Sequence, residues 1–548
     1  MDPSSFTDEQ VEALLAQISQ YQLAHGSLLS APLLTETLDC PVPIARPVGV
    51  SVFPTPFPGK LFRHALALQE PMNELYIRVA ADPEWLGKVL TELRKHDAFV
   101  AKLWSIWERV RDEGEVQKLE CGVWRSDYML HAPGAAQAME DPSPSESVID
   151  PSKAEEAALK AELKQVEFNT YSCAGGAHAN IVADMHSYLA ARRLHMSTGP
   201  PISTPALPRN KTISGIVRAI QLAHKKYGAP VRGWRTAVLM TVQRVNSNTC
   251  DERPIEHGLW RGSPPISLHR VEFSDQVLAH CRLGPDRELV YQPPWESEPV
   301  EISVVYHRAG YDADEYDERG VDARLLIERS RAIKCPSILG HLAGLKKVQQ
   351  ALAEPDVLER FVEPKLAGRI RSTFMRLHAM DETEDGLAGR ALALEERSAE
   401  GYILKPSLDG GGHNIHGLAI PPFLRRTPEE EWANYILMEK IIPPPLSNAL
   451  ISYQDLYYGR VISELGVFGA GLWQRQEGDQ PPVILANTEI GWSFKTKPAD
   501  VDEMSVVKGY GCFDCPRLFG ESQRFLDMLK FGHDEEEARS LEECRMSE

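Results

Sequence analysis

Residues 404–414 read Leu404-Lys405-Pro406-Ser407-Leu408-Asp409-Gly410-Gly411-Gly412-His413-Asn414, and no other stretch constrains this chain as tightly. A β-prone run that delivers a lysine, then a carboxylate, then three glycines and an amide can hold a nucleoside triphosphate. Backbone N–H groups reach phosphate oxygens where no Cβ intervenes. In that reading Lys405 neutralises phosphate and Asp409 holds Mg²⁺. A plain glycine-rich connector has the same letters, so the weight rests on what accompanies it.

At 548 residues the chain has room for a large buried core and two or three interlocked domains. Its composition, 43% hydrophobic and 25% charged, is that of a globular protein. Apolar runs break well short of the ~20 residues a membrane span needs, and the first residues lack signal character, so a cytoplasmic protein is expected. A formal charge of −19, from 59 Lys plus Arg against 78 Asp plus Glu, disfavours nucleic acid and anionic membranes as partners. Nine cysteines without regular spacing do not suggest a disulfide framework, and Cys512 and Cys515 lack the second pair a zinc site needs. No Ser-His-Asp or Cys-His arrangement favours covalent catalysis, and no H-E-x-x-H pair favours a zinc hydrolase. The acidic run 534–537 reads as a solvated tail.

Thr7 and Gln10 form a capping box ahead of a helix with Val11, Leu14, Leu15 and Ile18 at helical spacing. Asp82-Pro83 opens what reads as one long helix running through Leu86, Leu90, Leu93, Phe99, Leu103 and Ile106 to Gly114. Residues 132–162, rich in Ala, Pro, Ser and Glu, read as an exposed, flexible insertion. Beyond them β-prone and helical stretches alternate, which predicts an α/β fold with strands near 237–243, 302–306, 402–405, 435–439 and 461–464.

Four segments suit one ATP. In Gln165-Val166-Glu167-Phe168-Asn169, period-two alternation puts Glu167 and Asn169 on one side of a strand, offering oxygens to a hard cation such as Mg²⁺. A half-exposed strand gives the same pattern. The glycine segment is the second. The apolar strand ending Met438-Glu439-Lys440-Ile441 can cover adenine with its side chains and meet the base edge with its backbone, and a core strand ending in a loop predicts no less. Lys495-Thr496-Lys497 is the fourth, a pair of cations or a surface turn. Lys346, Lys405 and Lys497 can supply the positive charge a phosphoryl transfer needs.

Arg125-Ser126-Asp127-Tyr128-Met129, Val166-Glu167-Phe168-Asn169-Thr170, Arg324 through Ser330, Lys346-Lys347-Val348-Gln349-Gln350, the glycine segment, Ile436 through Lys440 and Ile462-Ser463-Glu464-Leu465-Gly466 follow one another in an order and spacing that resembles eukaryotic glutathione synthetase. The resemblance runs from the first helix to about Cys515. It implies an ATP-grasp fold and usually a homodimer, with ATP and two Mg²⁺ ions serving a ligation of γ-glutamylcysteine to glycine. ATP would phosphorylate the dipeptide's C-terminal carboxylate, and the acceptor amine would displace phosphate. It also implies a division into 1–233 (N-terminal helices and the first part of the ATP-grasp core), 234–345 (a substrate-binding α/β domain) and 346–548 (an ATP-grasp domain with a glycine-rich loop at 405–417 and a lid at 495–512).

By matching position, Glu167, Asn169 and Asp409 resemble the Mg²⁺ ligands, Asp409 standing where the family usually has Glu. The nucleotide contacts it implies are Lys346, Lys405, Gly410, Gly411, Gly412, His413, Asn414, His416, Met438, Glu439, Lys440, Ile441, Glu464, Lys497 and Glu503. The substrate contacts are Arg125, Ser172, Asn246, Asn248, Glu252, Arg308, Tyr311, Lys495, Val506 and Val507. Arg125, Lys346, Lys405 and Lys495 fall where catalytic cations are expected.

Departures from the family pattern gather on the substrate side. Asn246 replaces an acid, Glu252 a glutamine, Ala174 a serine, and Ala309 the aspartate of R-D-G-Y. Lys495 replaces an arginine, keeping the charge and losing the fork. The lid G-G-V-A-A-G is Met504-Ser505-Val506-Val507-Lys508-Gly509. Added bulk in a tight pocket shifts selectivity by ~1–3 kcal/mol. The alternatives are therefore a ligase with another small amino-acid acceptor or another γ-glutamyl donor, and a catalytically silent nucleotide-binding paralogue.

Overall fold

The computed structural model describes residues 7–33, 42–134, 151–194, 206–407, 413–452, 455–478, 480–502 and 504–520. Asp409, Gly410, Gly411, Gly412, Glu503 and the acidic run 534–537 lie outside them. The first helix, Asp8–His25, has the anticipated capping box: the Thr7 hydroxyl accepts from the Gln10 amide, and the Gln10 side chain accepts from the Thr7 amide at 2.9 Å.

The single long helix expected from Asp82 is three: Pro83–Val89, Leu93–His96 and Ala98–Glu113. Asp97 adopts an extended backbone and its carboxylate accepts from the amides of Phe99 and Val100, so it ends one helix and starts the next. The apolar positions are all buried. The six-residue step from Leu93 to Phe99, which no straight helix keeps on one face, was the signal for the break.

The second correction concerns the stretch 132–162. Residues 151–159 form a helix, and Ala158 and Ala161 are buried in a core cluster with Phe57, Phe62 and Leu163. Alanines three and four residues apart make a narrow apolar face that close packing can use, although composition alone suggests a solvated segment. Residues 135–150 lie outside the described ones.

Three larger sheets, beside two of two strands each, organise the described residues. A seven-stranded sheet runs in the order Leu446–Ser452, Val50–Ser51, Cys512–Phe513, Val483–Pro498, Asp455–Gln474, Leu119–His131, Glu162–Asn169. Its spine is the strand Asp455–Gln474, antiparallel to three neighbours. A second sheet centres on Val300–His307, parallel to Thr236–Val242 and to Ile333–Cys335, and every residue of this strand is buried, as covered parallel strands require. A third joins Leu377–Ala379, Tyr435–Glu439, Tyr402–Pro406 and Ile415–His416, all antiparallel. The expected strands are thus present, 461–464 being part of a much longer one. No helix among the described residues is long and apolar enough to cross a membrane.

The helix Gly59–Ala80 packs Tyr76 flat on Phe168, with ring centroids 3.9 Å apart, which fixes the strand that carries Glu167 and Asn169. Segments flanking the third sheet are tied to the large one and its margin: the Gln165 amide donates to the Thr373 carbonyl at 2.7 Å, and the Ala132 amide to the Ile442 carbonyl at 2.7 Å. The cleft between these sheets is where the site forms.

Candidate functional site

A cavity of about 570 Å³ opens between the seven-stranded and four-stranded sheets. The large sheet presents Arg125, Glu167, Asn169, Glu464, Lys495 and Lys497 to it, and the small sheet presents Lys405, His416 and Met438. Residues as far apart as Arg125 and Lys497 therefore share one wall. Period-two alternation explains the set, since 125, 167 with 169, and 495 with 497 each sit on the cavity side of their strands.

Glu167 is the electrostatic centre. Burial alone raises a carboxyl, but Lys346, Lys405 and Arg125 together with the Asn169 amide pull this one down to about 2. The Lys346 ammonium, at the first position of the helix Lys346–Ala353, stands 3.7 Å from Glu167 Oε2. Lys405 reaches across from the small sheet and donates to the Val166 carbonyl at 3.0 Å. Asn169 Nδ2 donates to Glu167 Oε1 at 3.1 Å and to Asp127 Oδ2 at 3.0 Å, which turns its carbonyl oxygen away from both carboxylates.

Arg125 and Asp127 form a bidentate pair at 2.6 and 2.7 Å on one strand. Burial opposes the guanidinium charge, and Asp127 more than offsets this, pushing the guanidinium above its usual range. The pair fits against Gly466 of the adjacent strand, where a Cβ would stand 2.6 Å from Asp127 Oδ1 and 2.8 Å from Arg125 Cδ. The fork expected to grip a substrate carboxylate is thus held by a resident one, while Nη1 donates to the Ala174 carbonyl at 3.1 Å.

Met438, Lys440 and Ile441 line the cavity, as do His413 and Asn414 at the far end of the glycine segment and Pro406 near its start. Asp409 falls between those flanks in the sequence and outside the described residues. On the substrate side Ser172, Asn248 and Tyr311 are in the wall, Ser172 with a left-handed backbone (φ 48°) and its hydroxyl donating to the Arg308 carbonyl at 3.1 Å.

Asn246, Glu252, Arg308, Glu439, Val506 and Val507 do not line the cavity. Arg308 is buried against Asp251 at 2.9 Å, and Asp251 also accepts from the amides of Gly175 and Ala177 at the start of the helix Gly176–Ala191. Asn246 donates to Glu252 at 2.7 Å, and Arg270 pairs with the same oxygen. Within 504–509, part of the segment expected to form a lid, it is Met504 and Ser505 that reach the cavity, whereas Val506 is buried in the core below and Val507 is exposed.

The sequence profile described as eukaryotic glutathione synthase, ATP binding domain, matches residues 8–518. The chain belongs to the eukaryotic glutathione synthase family. Among its relatives, the glutathione synthetase large chain of Schizosaccharomyces pombe is 32% identical over 93% of this chain and 98% of its own length. The human glutathione synthetase is 33% identical over 93% of this chain and 97% of its own. A glutathione synthetase-like effector from Globodera pallida, solved in its apo form, shares the fold with a TM-score of 0.66 at 19% identity, covering 94% of this chain and 99% of that one. The fold is accordingly the α/β ATP-grasp architecture of eukaryotic glutathione synthetases.

Within this family member, several lining residues had no role assigned from sequence. Asp127, buried behind the wall rather than lining it, was legible in principle, because it shares a strand face with Arg125. Tyr171 also lines the cavity, its hydroxyl donating to the Ala309 carbonyl at 2.9 Å and accepting from Arg324 at 2.7 Å, and nothing local in the sequence marks it. Asp502 also lines the cavity, 4.0 Å from His416 Nδ1.

Proposed function

We propose that this chain is an ATP- and Mg²⁺-dependent ligase that joins γ-glutamylcysteine to glycine. The supporting observation is Glu167, kept ionised in a cleft by Lys346 and Lys405 from two separate elements, beside the ends of the glycine segment. A cleft with this charge pattern suits a nucleotide triphosphate bound through a hard cation. The residue types fit magnesium: Glu167 and Asp409 would hold it, joined by the Asn169 carbonyl once the side-chain amide that donates to Glu167 and Asp127 turns over, and when bound it would neutralise phosphate oxygens.

The dipeptide carboxylate attacks the γ-phosphorus and ADP leaves. The glycine amine then attacks the acyl carbon, phosphate leaves, and the nitrogen loses its proton. Lys346, Lys405 and Lys497 offset the charge that gathers on the migrating phosphoryl group. Arg125, pinned by Asp127, orients the donor end, and Met504 and Ser505 close the acceptor end against water. The same resemblance implies a homodimer, which sedimentation of the purified protein checks.

Incubation with ATP, γ-glutamylcysteine and glycine tests the reading. ADP and tripeptide in equal amounts are expected, and ATP left intact by the folded protein overturns it. A second reading, a different small amino-acid acceptor, is favoured by Met504 and Ser505 standing in the wall where the family has paired glycines. A screen of amino acids for phosphate release decides between them, since a clear preference for an acceptor larger than glycine supports the second.

A further inference from the structure

The floor of the cavity rests on a buried carboxylate. Ile462 and Glu464 on one strand, and Lys495 and Lys497 on the next, face the cavity, and Ser463 and Thr496 between them face the other way. Ser463 and Thr496 are cross-strand partners, their hydroxyls 2.8 Å apart. Thr496 in turn donates to Asp514 Oδ2 at 2.6 Å. The proton of Ser463 is therefore the one shared between the two hydroxyls, and the chain of donors runs from Ser463 through Thr496 to Asp514.

Asp514 is fully buried and has no cation among its hydrogen-bond partners. Its Oδ1 accepts from the Ser51 hydroxyl at 2.5 Å and the Cys515 amide at 2.7 Å, and its Oδ2 accepts from the Thr55 hydroxyl at 2.5 Å as well as from Thr496. Asn448 donates to Thr55 at 2.7 Å and so extends the set. A carboxylate removed from water costs several kcal/mol unless donors surround it, and here the hydroxyl donors come from two strands of the large sheet, at Ser51 and Thr496, and from Thr55 at the start of a short neighbouring strand. Asp514 also follows directly on Cys512–Phe513, the strand that receives the chain as it leaves the lid, and Phe513 pairs with Lys495.

We propose that Asp514, acting through Thr496, is a positioning group for Lys495 and Lys497 and for the return of the lid. The network fixes the pleat of the strand at 496 from behind, so both ammonium groups are aimed into the cavity before any ligand arrives. This inference rests on reading the cavity as a nucleotide site, and it assigns a purpose to a buried acid that the ligation chemistry itself does not use.

The test is Thr496→Val, nearly equal in volume but without the hydroxyl, beside Thr496→Ser, which keeps the donor. Calorimetric titration with MgADP reads nucleotide affinity whether or not the protein ligates anything, and steady-state kinetics read KM for ATP and for the dipeptide separately. Thr496→Val should weaken MgADP and raise KM for ATP by about tenfold through Lys497, and raise the dipeptide KM as well through Lys495, and Thr496→Ser should restore all three. A Thr496→Val protein with unaltered MgADP affinity and only a lower Tm overturns the proposal, as does equal loss in both variants. If Thr496→Val does not fold, Ser463→Ala removes the outermost donor alone and reads the same constants. A wild-type protein that binds MgADP yet forms no product would refute the ligase reading and leave this test standing.

Discussion

Lys495 Nζ and Glu464 Oε1 lie 2.5 Å apart on residues that pair directly across two antiparallel strands, both facing the cavity and both nearly buried. Burial raises the Glu464 carboxyl above its usual value, and Lys495 works against that rise. Lys495→Ala would strand a buried carboxylate without its cation. We expect about 3 kcal/mol of lost stability together with a fall in turnover. Lys495→Arg should keep both, because it returns a fork to the position where the family has one. Thermal unfolding and kinetics of the two variants check this, and comparable damage from both would show that the strand pairing tolerates only lysine.

Lys405 has two duties that separate on mutation. Its ammonium satisfies the Val166 carbonyl and helps hold Glu167 ionised. Lys405→Met keeps the apolar stem and should cost only about 1 kcal/mol of stability through the lost hydrogen bond. Turnover of ATP should fall about a thousandfold, because no neighbouring group replaces a charge fixed against phosphate. Retained turnover in a folded Lys405→Met protein would remove the lysine from the reaction.

Side-chain alternation made much of the cavity wall legible. Glu167 with Asn169, and Lys495 with Lys497, are two residues apart on strands, so their shared face follows from geometry that any β-strand obeys. What brings those strands to Lys405 is the packing of one sheet against another, and no local pattern encodes it. Fewer of the residues expected on the substrate side reach the cavity, for a related reason. Arg308 looks like an anion-binding arginine in sequence, yet Asp251, 57 residues earlier in the chain, occupies it. In the same way Val507 matters by position in an alignment, while the backbone of the lid turns Met504 and Ser505 inward instead. Helix limits failed at Asp97, whose cap coincides with the six-residue step in the apolar stripe between Leu93 and Phe99.

Asp251 gives the protein a specific acid sensitivity. Burial would raise its carboxyl, but Arg308, His178 and the amides of Gly175 and Ala177 leave it below the ordinary 3.8. A carboxyl whose folded pKa is depressed stabilises the fold above its unfolded pKa, and that contribution is lost as pH falls through the folded value. Asp251→Asn should therefore cost about 3 kcal/mol near neutral pH, because Arg308 is left buried without a counter-charge. The gap between variant and wild type should narrow as the pH drops below about 3.8. Tm measured from pH 7 down to pH 3 checks it, and a gap that stays constant with pH would mean that Asp251 acts through shape alone.

Asp97 offers the simplest measure of how far the helical layer depends on one cap. The residue is buried, its carboxylate accepts from two amides at 2.9 and 3.1 Å, and the helix it starts, Ala98–Glu113, packs Phe99, Val100, Leu103 and Ile106 into the largest core cluster. Burial raises this carboxyl, and the Val100 and Phe99 amides oppose the rise. Asp97→Ala removes the acceptor and leaves both amides without partners away from water, so about 2 kcal/mol should be lost. Asp97→Asn keeps an acceptor oxygen and should lose less than half of that. Because the cap lies on the helical layer rather than on the cavity wall, KM for ATP should stay where it is in both variants. Chemical unfolding beside steady-state kinetics gives the two readouts, and a shift in KM without loss of stability would show that this helix reports to the cavity after all.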